Sequence, residues 1–186
     1  MSNKKALIFR GLILIAIAGF IISWLLKWWS SYVVYLKLDD AVVIHPWGLE
    51  YGNLGTFAGY LEGADMPAFF APAMWTYLGL CIVALIVTLF IKNRVVSLGK
   101  FTLSLPSLLL FLVGVSYAIV VIVEVIFAVI RSGDFYGMKV IVTTYIYVQD
   151  HVESDMTANL QIGYWLACGT SIYCLFLAWI RNKLYK

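Results

Sequence analysis

Glu124 is the one acidic residue inside the chain's long apolar runs. A carboxyl surrounded by hydrocarbon is costly unless it is paired or solvated, so an acid in that setting is first of all a functional hypothesis. Counted from Leu105, Glu124 sits near the outer end of its run, and Lys27 closes the first run at a similar height. A Glu124–Lys27 interaction is therefore expected, or contact between Glu124 and the underside of a sheet. Either would be a buried structural tie. A proton or ion relay would need further ionisable groups at depth, and the runs supply none.

A second group gathers before the last apolar run: Asp150, His151, Glu153 and Asp155, with His45 available elsewhere. Carboxylates and imidazoles can hold divalent metals. The spacing D-H-x-E-x-D matches no strict motif, and acidic residues there also suit a solvated helix N-terminus, where the helix dipole favours them. With two histidines in the chain, a site of three histidines within one copy is excluded. Tyr32, Tyr35, Trp47, Tyr145 and Tyr147 form a third candidate, an exposed aromatic recognition face. The alternative is that these rings pack within a sheet or against lipid headgroups. No phosphate-cradling glycine loop, nucleophile elbow or Cys/His metal spacing occurs, so no catalytic residue and no cofactor are assigned. Cys81, Cys168 and Cys174 all fall inside apolar runs, where a thiol packs as a small hydrophobe.

The elements that must position these residues follow from composition. The 186 residues are 63% hydrophobic and 12% charged, against about 25% charged in soluble domains. A bilayer is the natural solvent, and a helix needs roughly 20 apolar residues to cross it. Four runs qualify, predicting helices over about residues 8–27, 72–91, 104–131 and 160–181. The first follows a short basic head, as a signal peptide would, but it ends in Leu26-Lys27-Trp28-Trp29 without a small-residue cleavage pattern and reads as a retained helix. Trp24, Trp28 and Trp29 are expected at headgroup level. Ser104 or Thr102 can cap the third helix, with Pro106 in its first turn. Gly114/Ala118 and Gly163/Ala167 allow close helix approach within the chain.

Between the runs lie two outer loops, residues 28–71 and 132–159. In the first, the β-prone arms Tyr32–Leu38 and Ala41–His45 flank Asp39-Asp40, which predicts a hairpin turning at the acidic pair. Pro46-Trp47-Gly48 is a turn, Leu49–Tyr51 a possible third strand, and a short helix is expected around Leu54–Leu61. In the second, Ser132-Gly133-Asp134 reads as a turn and Lys139–Val148 as a strand that pairs with the hairpin. The fold class is thus membrane α-helical: a four-transmembrane-helix bundle with a small extracytoplasmic β-sheet built from both outer loops, all within one domain of residues 1–186. Nine of the thirteen basic residues (Lys4, Lys5, Arg10, Lys92, Arg94, Lys100, Arg181, Lys183, Lys186) lie at the termini and the middle link. Positive residues stay inside, so both termini are expected in the cytoplasm of a cell-membrane protein. Nine of the ten acidic residues lie in the outer loops.

This layout resembles the claudin-type tetraspan plan: a short inner N-terminus, four helices, a β-containing first outer loop, a long third helix and a strand in the second outer loop. Gly48-Leu49 follows Trp28 and Trp29 as in that family's first-loop pattern, while Glu50 stands in place of its second Trp and its two loop cysteines are absent. The resemblance implies cell-surface adhesion, assembly or auxiliary-subunit roles. The leading expectation is a non-enzymatic membrane protein whose partners are the lipid bilayer and either its own copies or other membrane subunits, with no nucleic acid. The alternatives are a channel or transporter component using Glu124 and the acidic outer surface, and a metal-bearing or accessory subunit of a membrane enzyme complex.

Overall fold

The computed structural model describes residues 3–50, 66–91, 94–98, 101–134, 142–149 and 152–184. The expected helix near Leu54–Leu61, and the candidates Asp150 and His151, lie outside the described residues. Four helices carry the apolar runs: α1 (Asn3–Leu25), α2 (Phe70–Phe90), α3 (Leu105–Asp134) and α4 (Ile162–Leu184). Each contains a stretch long and apolar enough to cross a membrane, ending at Leu7–Leu25, Phe70–Phe90, Leu105–Ile130 and Ile162–Arg181. The chain divides into two compact units, one of residues 1–22, 76–121 and 166–186, the other of residues 23–75 and 122–165.

The first unit is a helix bundle. Its core comes from residues spaced three and four apart, such as Phe9, Ile13, Ala16 and Phe20 on α1, or Leu110, Val113, Tyr117 and Val121 on α3. That spacing lines one side of a helix. The other sides are just as apolar: Leu14, Leu80, Leu112 and Ile172 are exposed. A helix hydrophobic all round belongs in a membrane, because in water those faces would be polar. Polar side chains tie the helices together. Ser171 donates to the Gly114 carbonyl at 2.9 Å, Tyr173 to the Leu12 carbonyl at 3.2 Å, and the Tyr77 and Ser116 hydroxyls are bonded at 3.0 Å. Phe20 lies against Tyr117, ring centres 4.2 Å apart.

The middle link is more structured than its sequence suggested. It forms an antiparallel hairpin of β4 (Val95–Leu98) and β5 (Phe101–Ser104). Ser104 caps α3 as expected, accepting from the Ser107 amide at 3.4 Å, and Pro106 sits in the first turn, where a missing N–H costs nothing. Thr102 belongs to β5. α3 also runs through Ser132-Gly133-Asp134, which was read as a turn. A single glycine costs a helix only about 1 kcal/mol, too little to end one already propagating.

The second unit is organised by a five-stranded antiparallel sheet. Its strands β1 (Trp29–Val33), β2 (Val43–His45), β3 (Gly48–Glu50), β6 (Val142–Gln149) and β7 (Val152–Leu160) stand in the order β3-β2-β1-β7-β6. One sheet does draw on both connecting segments, but two details differ from expectation. The first hairpin turns at Val34–Lys37, closed by the Val33–Leu38 pair, not at Asp39-Asp40. Lys37 (φ 48°) and Asp40 (φ 54°) take left-handed conformations, and Ala41 and Val42 together face Ser31. Acidic residues suit this bulge-like irregularity because a short polar side chain tolerates positive φ. Second, β6 does not pair with the first hairpin. It pairs with β7, and β7 pairs with β1 from Trp29↔Leu160 to Val33↔Met156. Glu153 and Asp155, expected at a helix N-terminus, thus lie in a strand, whose alternate residues Ser154, Met156 and Ala158 are buried. Trp29, Val42 and Ala158 form one apolar cluster, joined by Ala128 of α3; Val33, Ala41 and Met156 form another.

The tryptophans expected at headgroup level are core residues. Trp24 is fully buried and Trp28 and Trp29 nearly so. The Trp28 indole donates to the Ser23 carbonyl at 2.8 Å and meets Tyr164 edge-on. Exposed indoles occur instead at Trp75, Trp165 and Trp179.

The β1–β7 pairing brings the start of α4 against the chain leaving α1. The Gly163 amide donates to the Lys27 carbonyl at 3.1 Å, and a methyl group added at Gly163 would stand 2.5 Å from that oxygen. Gly163→Ala is therefore expected to destabilise the protein by about 1–3 kcal/mol. Gly169→Ala, whose methyl meets open space, should be neutral or mildly stabilising. Thermal unfolding in detergent distinguishes the two, and equal midpoints would refute the close approach.

Candidate functional site

The candidate residues collect in the sheet-bearing unit and in the part of α3 that belongs to it. On α3, the buried stripe Leu110, Val113, Tyr117, Val121 continues with spacing three to Glu124 and four to Ala128. Glu124 thus occupies a core-facing position, one turn before the residue that packs on the sheet cluster. Both of its carboxylate oxygens are shut off from the surface, and among the described residues neither has a hydrogen-bond partner.

The expected Glu124–Lys27 pair does not form. Lys27 is ion-paired with Asp40, which the irregular end of the first hairpin delivers to it. Both side chains are partly exposed, so the pair contributes at most about 1 kcal/mol. The depth of Glu124 along α3 is readable from the residue pattern, but the turn that presents Asp40 is not. Replacing an unsatisfied buried polar group with an apolar one of similar size relieves a cost of about 1–3 kcal/mol. Glu124→Leu should therefore raise the unfolding midpoint in detergent, whereas a fall would show that the carboxyl has a partner in the assembled protein.

Of the metal candidates, His45 and Asp155 are not brought together. His45 lies beside the Trp28 end of β1, since the Trp28 amide donates to the Ile44 carbonyl. Asp155 lies at the opposite end, its carbonyl accepting from the Val34 amide. Six residues along β1 put the two on the order of 20 Å apart. Glu153 is on the same face of β7 as Asp155, by alternation, and pairs with Tyr147. Among the described residues no group of three or more metal-ligating side chains occurs.

His45 belongs instead to an aromatic stack that the sequence reading missed. Its ring lies on Trp47, centres 4.5 Å apart; Trp47 lies on Trp75 at 5.0 Å; Trp75 meets Trp24 edge-on at 6.2 Å. Pro46-Trp47 form the two-residue connection between β2 and β3, and Gly48, at φ 155°, takes a conformation rare for other residues. Glu50, opposite Val43, brings its carboxylate 3.7 Å from the His45 Nε2. A sequence signal existed in the order His-Pro-Trp-Gly, but nothing in it names Trp75 as the second ring. Trp47 is thereby spent on packing within the chain.

The tyrosine candidates divide. In register, Tyr32 pairs with Thr157 and Thr157 with Thr143, while Asp155 pairs with Tyr145 and Glu153 with Tyr147. Tyr32 therefore lies on the face opposite that of Trp29, Val33 and Met156, and the register of Tyr145 and Tyr147 follows from its own through β7. Tyr35 lies in the hairpin turn and is exposed.

Compared with known proteins, the chain matches no family model, no curated protein and no solved structure. Its four apolar helices and small antiparallel sheet are compatible with a tetraspan architecture and consistent with an integral multi-pass membrane protein.

Proposed function

We propose that the protein is a non-enzymatic membrane protein whose sheet lies outside the cytoplasm and docks strand-to-strand, through β6, with a second copy or with another subunit of a membrane complex. The contrast between the two edges of the sheet carries this reading. Among the described residues β3 is an edge that ends in the exposed, charged Glu50. Charge is a usual way an edge avoids pairing. The described β6 has none: its eight residues, VTTYIYVQ, include no charge and no proline. Among the described residues β7 is its one neighbour. An uncharged, β-prone edge is the form that accepts an added strand, with the backbone supplying affinity and alternate side chains supplying specificity. Tyr145 and Tyr147 would lie on one face of the joint.

The basic residues at the termini and middle link favour cytoplasmic termini, and the reading places the protein in the cell membrane. The claudin-like resemblance points the same way, toward adhesion, assembly or auxiliary-subunit roles.

The mass and subunit composition of the complex solubilised in mild detergent test this reading. A homo-oligomer or foreign subunits at fixed stoichiometry are expected; a monomer at every concentration would sink it. Successive N–H groups along a strand point to opposite edges, so of Thr143→Pro and Thr144→Pro one removes a donor from the β7 ladder and the other an outward donor. The outward one should abolish assembly while leaving the helical circular dichroism intact.

The unpartnered oxygens of Glu124 favour a second reading, a subunit of a cation pathway that several copies complete. Proteoliposome cation flux abolished by Glu124→Gln in a folded protein would support it, and flux equal to empty liposomes would remove it.

A further inference from the structure

The β4–β5 hairpin pairs Val95 with Ser104 and Val96 with Leu103. Val96 and Leu103 are half-buried, and Val95 is exposed. A lone pair of four-residue strands is marginal in water and needs an apolar layer to rest on. The hairpin joins α2 to α3, and the Leu105 amide donates to the Arg94 carbonyl at 2.8 Å.

The same end of the bundle collects the start of α1 and the end of α4. Arg181 donates to the Thr88 carbonyl at 3.3 Å and its guanidinium lies 4.7 Å from the centre of the Phe9 ring. Arg181 is buried and committed to these contacts, whereas Arg10, Arg94 and Lys183 are exposed. Lys183 holds its ammonium 4.0 Å from the centre of the Trp179 ring, itself exposed. The helical unit contains nine basic residues and no acidic one, every carboxylate side chain of the chain falling in the sheet-bearing unit. Its exposed cations thus have no carboxylate side chain of their own unit to neutralise them.

We infer that this end of the bundle binds anionic phospholipid headgroups of the bilayer the helices span, through Arg10, Arg94 and Lys183, with Val96 and Leu103 of the β4–β5 hairpin set at the headgroup–acyl boundary. Charge complementarity selects the occupant: basic residues beside a bilayer attract anionic lipid, about fivefold for each residue engaged. An amphipathic element with basic flanks is the form that lies in the interface plane. A tryptophan with a lysine over its ring suits the same depth, since the indole prefers the headgroup level and the lysine reaches outward.

The test uses the full chain in nanodiscs of equal phosphatidylglycerol and phosphatidylcholine, with lipids retained after detergent extraction counted by native mass spectrometry. Phosphatidylglycerol should be retained over phosphatidylcholine, and Arg94→Gln with Lys183→Gln should reduce that preference by about tenfold or more. Lys27→Gln with Lys37→Gln, basic residues of the other unit, should leave it unchanged. Val96→Ser with Leu103→Ser should lower retention with the cations intact. No preference in the unmodified protein, equal loss in both charge pairs, or no effect of the hairpin pair would overturn the inference. If the first pair fails to fold, Arg94→Lys with Lys183→Arg should keep the preference, and salt should weaken it in the unmodified protein; salt-independent retention would be fatal.

Discussion

The ladder between β1 and β7 joins residues 131 positions apart in sequence, and much of the sheet-bearing unit depends on it. Without it the chain would hold two separate hairpins, each with open edges whose backbone N–H and C=O groups lack a strand to pair with. With it, β1 has neighbours on both sides and the apolar residues of three strands share one face. The register also fixes the helices. Since Trp29 pairs with Leu160, and Gln161 alone separates β7 from α4, the start of α4 must lie against Leu26 and Lys27. Only a glycine fits at the point of closest approach. The side chain of Gln161 reinforces the corner by donating to Ser30 at 2.8 Å.

The helices were legible in the sequence because a bilayer imposes a length and a composition that few other structures share. The sheet was legible in part. That both connecting segments would contribute followed from the β-propensity of Tyr32–His45 and Lys139–Val148 and from the cost of an unpaired strand. The identity of β7 was hidden because Val152–Leu160, VESDMTANL, carries two acids and an asparagine, which argue against a strand by propensity. Tertiary context overrides that preference: Ser154, Met156 and Ala158 bury one face while the acids share the other with Thr157 and Asn159. The link from α2 to α3 was missed for the opposite reason. Its strands are four residues each, too short for alternation to stand out.

The candidate site was legible as single residues but not as pairs. Glu124 announces itself by being alone in hydrocarbon. Its expected tie to Lys27 rested on height along two helices, and height cannot show that a positive-φ residue in the next hairpin presents Asp40 instead. His45 was read as a possible ligand because imidazole invites metal chemistry, yet a ring flanked by Pro46 and Trp47 is as well placed to stack. The tryptophans show the same limit. Composition places indoles near the ends of membrane helices, and only the fold decides whether they face lipid or, like Trp24 and Trp28, other rings and the core.

All three cysteines lie in helices and are free, so no disulfide holds the sheet. What holds it is noncovalent. Ser31 is the local example: buried, it accepts from the Val42 amide at 3.1 Å and its backbone engages both Ala41 and Val42, closing the irregularity that would otherwise leave polar groups unmet. The larger contribution is β7 itself, which completes the ladder of β1. That solution has a structural consequence. Each strand added to satisfy an inner edge creates a new outer one, and among the described residues the outermost here is β6, eight residues without charge. A sheet built this way satisfies its interior and passes its edge outward, here to a strand whose composition does nothing to discourage a neighbour.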